Sequence, residues 1–254
     1  MYISLVRFKK IKVMPKIFKV GGCVRDRLLG VDTNDIDFTF VLDNLDRTVE
    51  EGFDIMTKWL EHKEFEIFLS TPECFTIRAK FPKEHKYAGM VADFVMARKE
   101  VGYVEGTRRP ILELGTLEDD LIRRDFTVNA MAEDEDGNLI DLFNGQMDLE
   151  RMILITPLAP KVTFEDDPLR IIRAIRFSIT KGFRLSYLDY FIYNFDYEGK
   201  MGVVSIERIR EELLKCFKHD TLKTLEILNQ NPKLRDYIFK NNILWLKPTF
   251  EKIK

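Results

Sequence analysis

The sequence predicts an α+β fold, with a sheet-bearing first part followed by a smaller all-helical part. Short runs rich in β-branched and aromatic residues alternate with helical stretches through the first half. From about Pro168 onward the apolar pattern turns helical, and the Pro-containing stretch TPLAPKV near residue 160 separates the two regimes. The expected domains are therefore 1–160 and 161–254. At 254 residues and 45% apolar composition, the chain has material for one good core and a smaller helical unit beside it.

In chain order, Ile17 to Val20, Ile36 to Val41, Cys74 to Phe81 and Met90 to Val95 read as strands. Val24 to Leu29 and Arg47 to Leu60 read as the helices between them. The turn signal Asp136-Gly137-Asn138 closes the region from Asp119 to Asp141 with a hairpin or bend. Helices follow near 166–180, 205–217 and 220–230, the first carrying an apolar stripe of Leu169, Ile172, Ile175 and Ile179.

A formal charge of −2 means that any polyanion must be met by local basic patches, so net charge neither favours nor excludes RNA. Cys23, Cys74 and Cys216 lie far apart without metal-ligand spacing, which argues against a zinc site or disulfide framework and fits a reducing cytoplasm. The apolar run from Tyr2 to Val6 is too short for a signal peptide or a membrane span. A soluble cytoplasmic protein is the expectation, with no membrane partner. Met14, directly before the strand-like PKIFKV, is a candidate alternative start.

The chemistry concentrates in two short segments. KVGGCVRDRLLG runs from a strand into a helix through Gly21-Gly22, where a backbone without Cβ atoms lets a phosphate approach free N–H groups. Arg25 would add a charged fork to the same phosphates. Read alone, this is equally a tight strand-to-helix turn. Asp35-Ile36-Asp37 then places two carboxylates two residues apart, on one face of a strand, while Ile36 and Phe38 face the core. The mutual repulsion of such a pair is relieved by a divalent cation, and Mg²⁺ typically uses one or two carboxylates plus substrate phosphates. Asp167 and Arg170, three apart, would be neighbours on one face of a helix beginning at Asp166.

GGCVRDRLLGVDTNDIDF resembles the signature of the polymerase-β-type nucleotidyltransferase superfamily, in the branch of the class II CCA-adding tRNA nucleotidyltransferases and bacterial poly(A) polymerase. LEDDLIRRDFTVNAMA, DLFNGQMDLERMILI and FEDDPLRIIRAIRF match the same branch in order, and SIERIREEL resembles its last head-and-neck motif. The resemblance implies a catalytic head with a mixed or antiparallel sheet and flanking helices, followed by a small helical neck. It implies that Asp35 and Asp37 hold Mg²⁺, with Asp93 as a third acid beside them. Gly21, Gly22 and Arg25 would meet the triphosphate, and Arg124, Asp125 and Asn129 the ribose. Asp167 and Arg170 would offer hydrogen bonds to the incoming base, a carboxylate accepting from an exocyclic amine and a guanidinium donating to ring acceptors. Arg173 and Arg176 would face the triphosphate or the acceptor end; for Arg176 plain solvation is an equal alternative.

The implied activity is addition of C and A from CTP and ATP to a tRNA 3′ end. Poly(A) addition, CC-only or A-only addition to another RNA acceptor, and an inactive nucleotide-binding module are the alternatives. Asp166-Asp167 stands where many bacterial members have Glu-Asp, and full-length members continue into body and tail domains beyond the neck. The remaining helices carry Arg208, Arg210, Lys215, Lys218 and Lys223, either a small RNA surface or an ordinary solvated face.

Overall fold

The computed structural model describes residues 15–43, 45–103, 110–185 and 187–244. Met14 and the stretch before it, on which the alternative start turns, lie outside the described residues. The chain divides into two compact units, one of residues up to 124 together with 129–145, the other of 125–128 and residues from 146 onward.

The first unit is built on a seven-stranded mixed sheet, as the resemblance implies. Its strands are β1 (Lys16–Val20), β2 (Ile36–Val41), β3 (Glu66–Thr71), β4 (Thr76–Lys80), β5 (Val91–Met96), β8 (Met131–Glu133) and β9 (Leu139–Asp141). They lie in the order β3-β4-β5-β2-β1-β8-β9, every neighbour antiparallel except β2 and β5. A separate ribbon pairs β6 (Arg98–Tyr103) with β7 (Pro110–Leu114). The Asp136-Gly137-Asn138 signal forms the β8–β9 hairpin: Gly137 has φ 86°, and the Asp134 carboxylate accepts from the backbone N–H groups of Asp136 and Asn138.

Helix α1 (Gly22–Leu28) follows β1 directly. Helix α2 (Val49–His62) starts at a capping box, in which Thr48 accepts from the Glu51 N–H and the Glu51 carboxylate accepts from the Thr48 N–H. It buries Phe53, Met56 and Leu60 along one stripe and packs on β5 and β7. Helix α3 (Leu117–Ile122) opens with the same device from Thr116 and Asp119. Its Leu121 joins Val20, Ala130 and Ala132 in a buried cluster under β1 and β8. The strand expected over Cys74 to Phe81 is shorter at its start. Pro72 opens a single 3₁₀ turn over Pro72–Cys74, Phe75 takes φ 52°, and β4 begins only at Thr76.

The second unit is helical: α5 (Pro160–Asp166), α6 (Leu169–Lys181), α7 (Asp189–Asn194), α8 (Tyr197–Lys200), α9 (Ile206–His219), α10 (Thr221–Gln230) and α11 (Pro232–Lys240), preceded by α4 (Gly145–Glu150). The stripe Leu169, Ile172, Ile175 and Ile179 is buried as its spacing predicts, and α6 packs on α9. The helix expected to begin at Asp166 instead breaks at Asp167-Pro168. A residue before proline is pushed out of the helical region, and Asp167 sits at φ −135°, ψ 98°. No helix of the described residues is long and apolar enough to cross a membrane.

Candidate active site

Strand register builds the acidic face. In β2, Asp37 and Thr39 alternate with Ile36, Phe38 and Phe40, so the acid and the aromatic residues face opposite sides. Asp37 lies directly beside Asp93 of the parallel strand β5, and Asp93 lies opposite Arg78 of β4. The row thus runs Asp37–Asp93–Arg78 across three strands. Arg78 clamps Asp93 with two hydrogen bonds, Nε to Oδ1 at 2.7 Å and Nη2 to Oδ2 at 2.6 Å.

Asp35 precedes β2 by one residue and is exposed, its N–H donating to Thr33 Oγ1 at 3.2 Å. Burial pushes the Asp37 carboxyl up to about 6, and the negative charges of Asp35 and Asp93 add to the shift against the opposing pull of Arg124 and Arg78. The repulsion inferred from the Asp-Ile-Asp spacing is therefore present between the two side chains.

On the other flank stands Arg124, whose Nη2 donates to Asp120 Oδ2 at 2.8 Å; Thr39 Oγ1 donates to the same oxygen at 2.8 Å. Asp120 is 2% exposed. Burial alone would raise its pKa, but Arg124 and Arg123, with hydrogen bonds from Arg124 and Thr39, hold it down at about 2. Asp120 is thus a fixed anion that aims Arg124, and the motif reading passes over it. Its signal is nevertheless in the sequence: LEDDLIRRD sets Asp120 and Arg124 four apart on one helical face.

Gly21 closes this side of the cleft. Its φ of 77° with ψ −135° is a glycine conformation, and a Cβ there would lie 2.8 Å from Arg124 Nη1 and 3.7 Å from Asp37 Oδ2. Val20, Asp37, Thr76, Asp93, Asp120 and Arg124 line a cleft of about 340 Å³.

The remaining predicted residues occupy definite places. In the first unit Arg25 is buried, Nε and Nη2 donating to Asp26 at 3.0 Å each and Nη1 donating to Asn129 Oδ1. Arg25 thus ties α1 to the residues after α3.

In the second unit Asp125 accepts from Arg173, Nη2 at 2.7 Å and Nε at 2.9 Å. Arg176 donates to Glu212 of α9 and lies over the Phe177 ring at 4.2 Å, so the solvated alternative for Arg176 does not hold. Asp167 and Arg170 are not the helical neighbours that the spacing suggested. With the helix broken between them, Arg170 pairs with Asp166 at 3.1 Å and donates to the Thr163 carbonyl at 3.2 Å. Asp167 accepts from the Leu169 N–H at 3.1 Å and lies 3.6 Å from Arg208.

A mixed sheet presenting two in-register acids beside a carboxylate-held arginine is the layout of a nucleotidyltransferase head. Residues 17–155 match the family model described as the poly A polymerase head domain. The chain belongs to this family, that of the class II CCA-adding enzymes and bacterial poly(A) polymerases. It is 35% identical over 216 residues to a multifunctional CCA protein of Pseudomonas fluorescens, covering 81% of this chain and 46% of that one. To a multifunctional CCA protein of Neisseria gonorrhoeae it is 33% identical over 218 residues, covering 84% and 47%.

Among solved structures, the Thermotoga maritima CCA-adding enzyme complexed with tRNA-CCA superposes with TM-score 0.65 at 26% identity, covering 92% of this chain and 50% of that one. A tRNA nucleotidyltransferase complexed with a primer tRNA and an incoming ATP analog gives TM-score 0.66 at 28% identity, covering 88% and 59%. The chain spans about half the length of the curated relatives it matches.

Proposed function

We propose that this chain transfers C and A residues from CTP and ATP to the 3′ end of a tRNA, completing or repairing CCA, with release of pyrophosphate. The observation that carries the reading is the row of Asp37 and Asp93 in a cleft whose other wall is an arginine held by a buried aspartate. The relatives named for CCA addition, and the solved relatives holding tRNA or an ATP analog, support the same substrates.

Asp35 and Asp37 are the proposed Mg²⁺ ligands. The fit lies in the donor set: hard carboxylate oxygens, one of them protonated more readily than usual because it is buried and because Asp35 and Asp93 repel it. Among the described residues no group of three or more His, Cys, Asp or Glu side chains is gathered to hold a metal ion. When bound, Mg²⁺ supplies charge neutralisation for the acceptor hydroxyl and the leaving pyrophosphate. Asp93, pinned by Arg78, adds a fixed negative charge beside Asp37. Arg124 meets the ribose and phosphate side of the nucleotide in a geometry set by Asp120, while Gly21 lets the backbone come close enough to do the same. Gly22 and Arg25 are the proposed triphosphate contacts, Asp125 and Asn129 the proposed ribose contacts, and Arg173 and Arg176 the proposed contacts of the triphosphate or acceptor end, each side chain held by the pairings described above. Asp167 and Arg170 are the proposed readers of cytosine and adenine.

The test is incorporation of labelled CTP and ATP into tRNA lacking its 3′ end, by wild type and by Asp35→Ala and Asp37→Ala. Transfer by the wild type and none by either folded variant is expected; full activity in either variant would sink the assignment.

A further inference from the structure

The opposite face of the same sheet carries a second concave site. The row next to the acidic one runs Glu133–Lys19–Phe38–Phe94 through β8, β1, β2 and β5, each residue in register with the next. By strand alternation it points away from Asp37 and Asp93. It floors a pocket of about 350 Å³, roughly the lower limit of small-ligand sites.

The walls are aromatic. Phe38 and Phe94 stack at 5.0 Å and 8°. Phe81 stacks on His85 at 4.5 Å and 18° and meets Tyr87 edge-on at 5.3 Å. Trp59 and Phe65 close the side toward α2. A core would bury such rings fully, yet Phe38, Trp59, Phe65, His85 and Tyr87 all keep part of their surface open to the pocket.

The polar groups at the mouth define what fits. Glu133 is occupied by Lys19 and by Arg27, the latter at 2.6 Å, and Asp134 by the hairpin turn. Glu135 and Asp136 stand exposed at the rim, and no described residue pairs with either carboxylate. His85 Nδ1 accepts from the Tyr87 N–H at 3.1 Å, which leaves Nε2 as the protonated, donating nitrogen of the neutral ring. Burial, with Lys86 nearby, lowers the His85 pKa and favours that neutral form.

Flat π faces call for a planar ring. The exposed carboxylates of Glu135 and Asp136 call for hydrogen-bond donors on its edge, while Lys19 and Lys86 line the same pocket and lie against the Tyr87 ring. We infer that this pocket is a second site, which takes an aminated nucleobase of the adenine or cytosine type. The base comes either from a free nucleoside or from an unpaired residue of an RNA strand. The inference stands apart from the transfer reading, because none of its residues lies on the acidic face.

The experiment titrates the 254-residue chain, without divalent ions, with adenosine, cytidine, inosine, uridine and a short oligoadenylate, followed by ligand-observed NMR. Saturable binding of adenosine and cytidine, weaker for inosine and uridine, is the expected result. Binding of the oligoadenylate alone also supports the site and identifies RNA as the source. Tyr87→Ala should weaken binding roughly tenfold or more, the usual loss for removing one base-stacking ring. The double variant Glu135→Gln with Asp136→Asn, confined to the exposed rim and so harmless to folding, should erase the preference for adenosine over inosine. Asp37→Ala should leave binding intact. If neither adenosine nor oligoadenylate binds saturably, the inference is overturned. So it is if their binding is unchanged in Tyr87→Ala.

Discussion

Asp37→Asn should make the metal-free protein more stable above pH 6 while removing its activity. The carboxyl of Asp37 is raised from 3.8 to about 6 by burial and by Asp35 and Asp93, so the folded state prefers it protonated. Between those two pH values the folded protein holds more protons at this site than the unfolded chain, and stability falls as pH rises through the window. A difference of roughly two pH units at about 1.4 kcal/mol each gives about 3 kcal/mol of destabilisation above pH 6. Asparagine keeps the shape and carries no charge. Urea unfolding in EDTA at pH 4.5 and pH 8 measures this directly. The wild type should lose about 2 kcal/mol from this group between the two conditions, because part of the window lies below pH 4.5, and Asp37→Asn should lack that portion of the slope. A variant with the same pH dependence as wild type, or one less stable at pH 8, would refute the claim that Asp37 is a strained anion awaiting a cation.

Asp120 should show the opposite sign. Its pKa is held down at about 2, so it stabilises the fold above the ordinary 3.8, and this contribution, about 2 kcal/mol, is lost as pH falls toward 2. Asp120→Ala should cost roughly 3–5 kcal/mol in thermal or urea unfolding by leaving Arg124 without its buried partner. Gly21→Ala should lower stability by about 1–3 kcal/mol through its positive φ. It should also raise KM for nucleotide by displacing Arg124, and an unchanged KM would count against the close approach at that turn. In the second unit, Glu212→Ala should destabilise by roughly 3 kcal/mol in urea unfolding, since it strands Arg176, whereas Arg173 keeps Asp125.

Much of this architecture is legible in the residues. Ile36 to Val41 reads as a strand and is one, because apolar and polar residues alternate over its length. The hairpin is legible from Asp-Gly-Asn, and helices 206–219 and 221–230 from their apolar stripes and from the caps Ser205 and Asp220. The short strands β3, β6 and β7 are not, since each mixes polar and apolar residues over five or six positions without a clean alternation, and pairing fixes their place.

The site divides in the same way. The neighbourhood of Asp35 and Asp37 follows from spacing alone. That Asp93 stands beside Asp37 depends on the parallel register of β2 and β5, and that Arg78 clamps it depends on β4; neither is local information. Arg25, Arg173 and Arg176 have the charge of phosphate ligands, yet each is matched to an acid or amide far away in sequence, and no spacing rule discloses such partners. The break between Asp167 and Arg170 was open to local reading, because Pro168 stands between them and bars its predecessor from the helix.

The central claim is nucleotide transfer at the Asp37 face, and one measurement bears on it most directly. The purified chain is incubated with Mg²⁺, labelled CTP and ATP singly and together, and tRNA ending before CCA, after C or after CC, and the products are resolved to single-nucleotide length. The account predicts stepwise growth that stops at CCA, with C added from CTP alone and the terminal A only on tRNA already ending in CC. An open-ended ladder of A residues, or no incorporation by the folded protein on any of the three tRNAs, would contradict it.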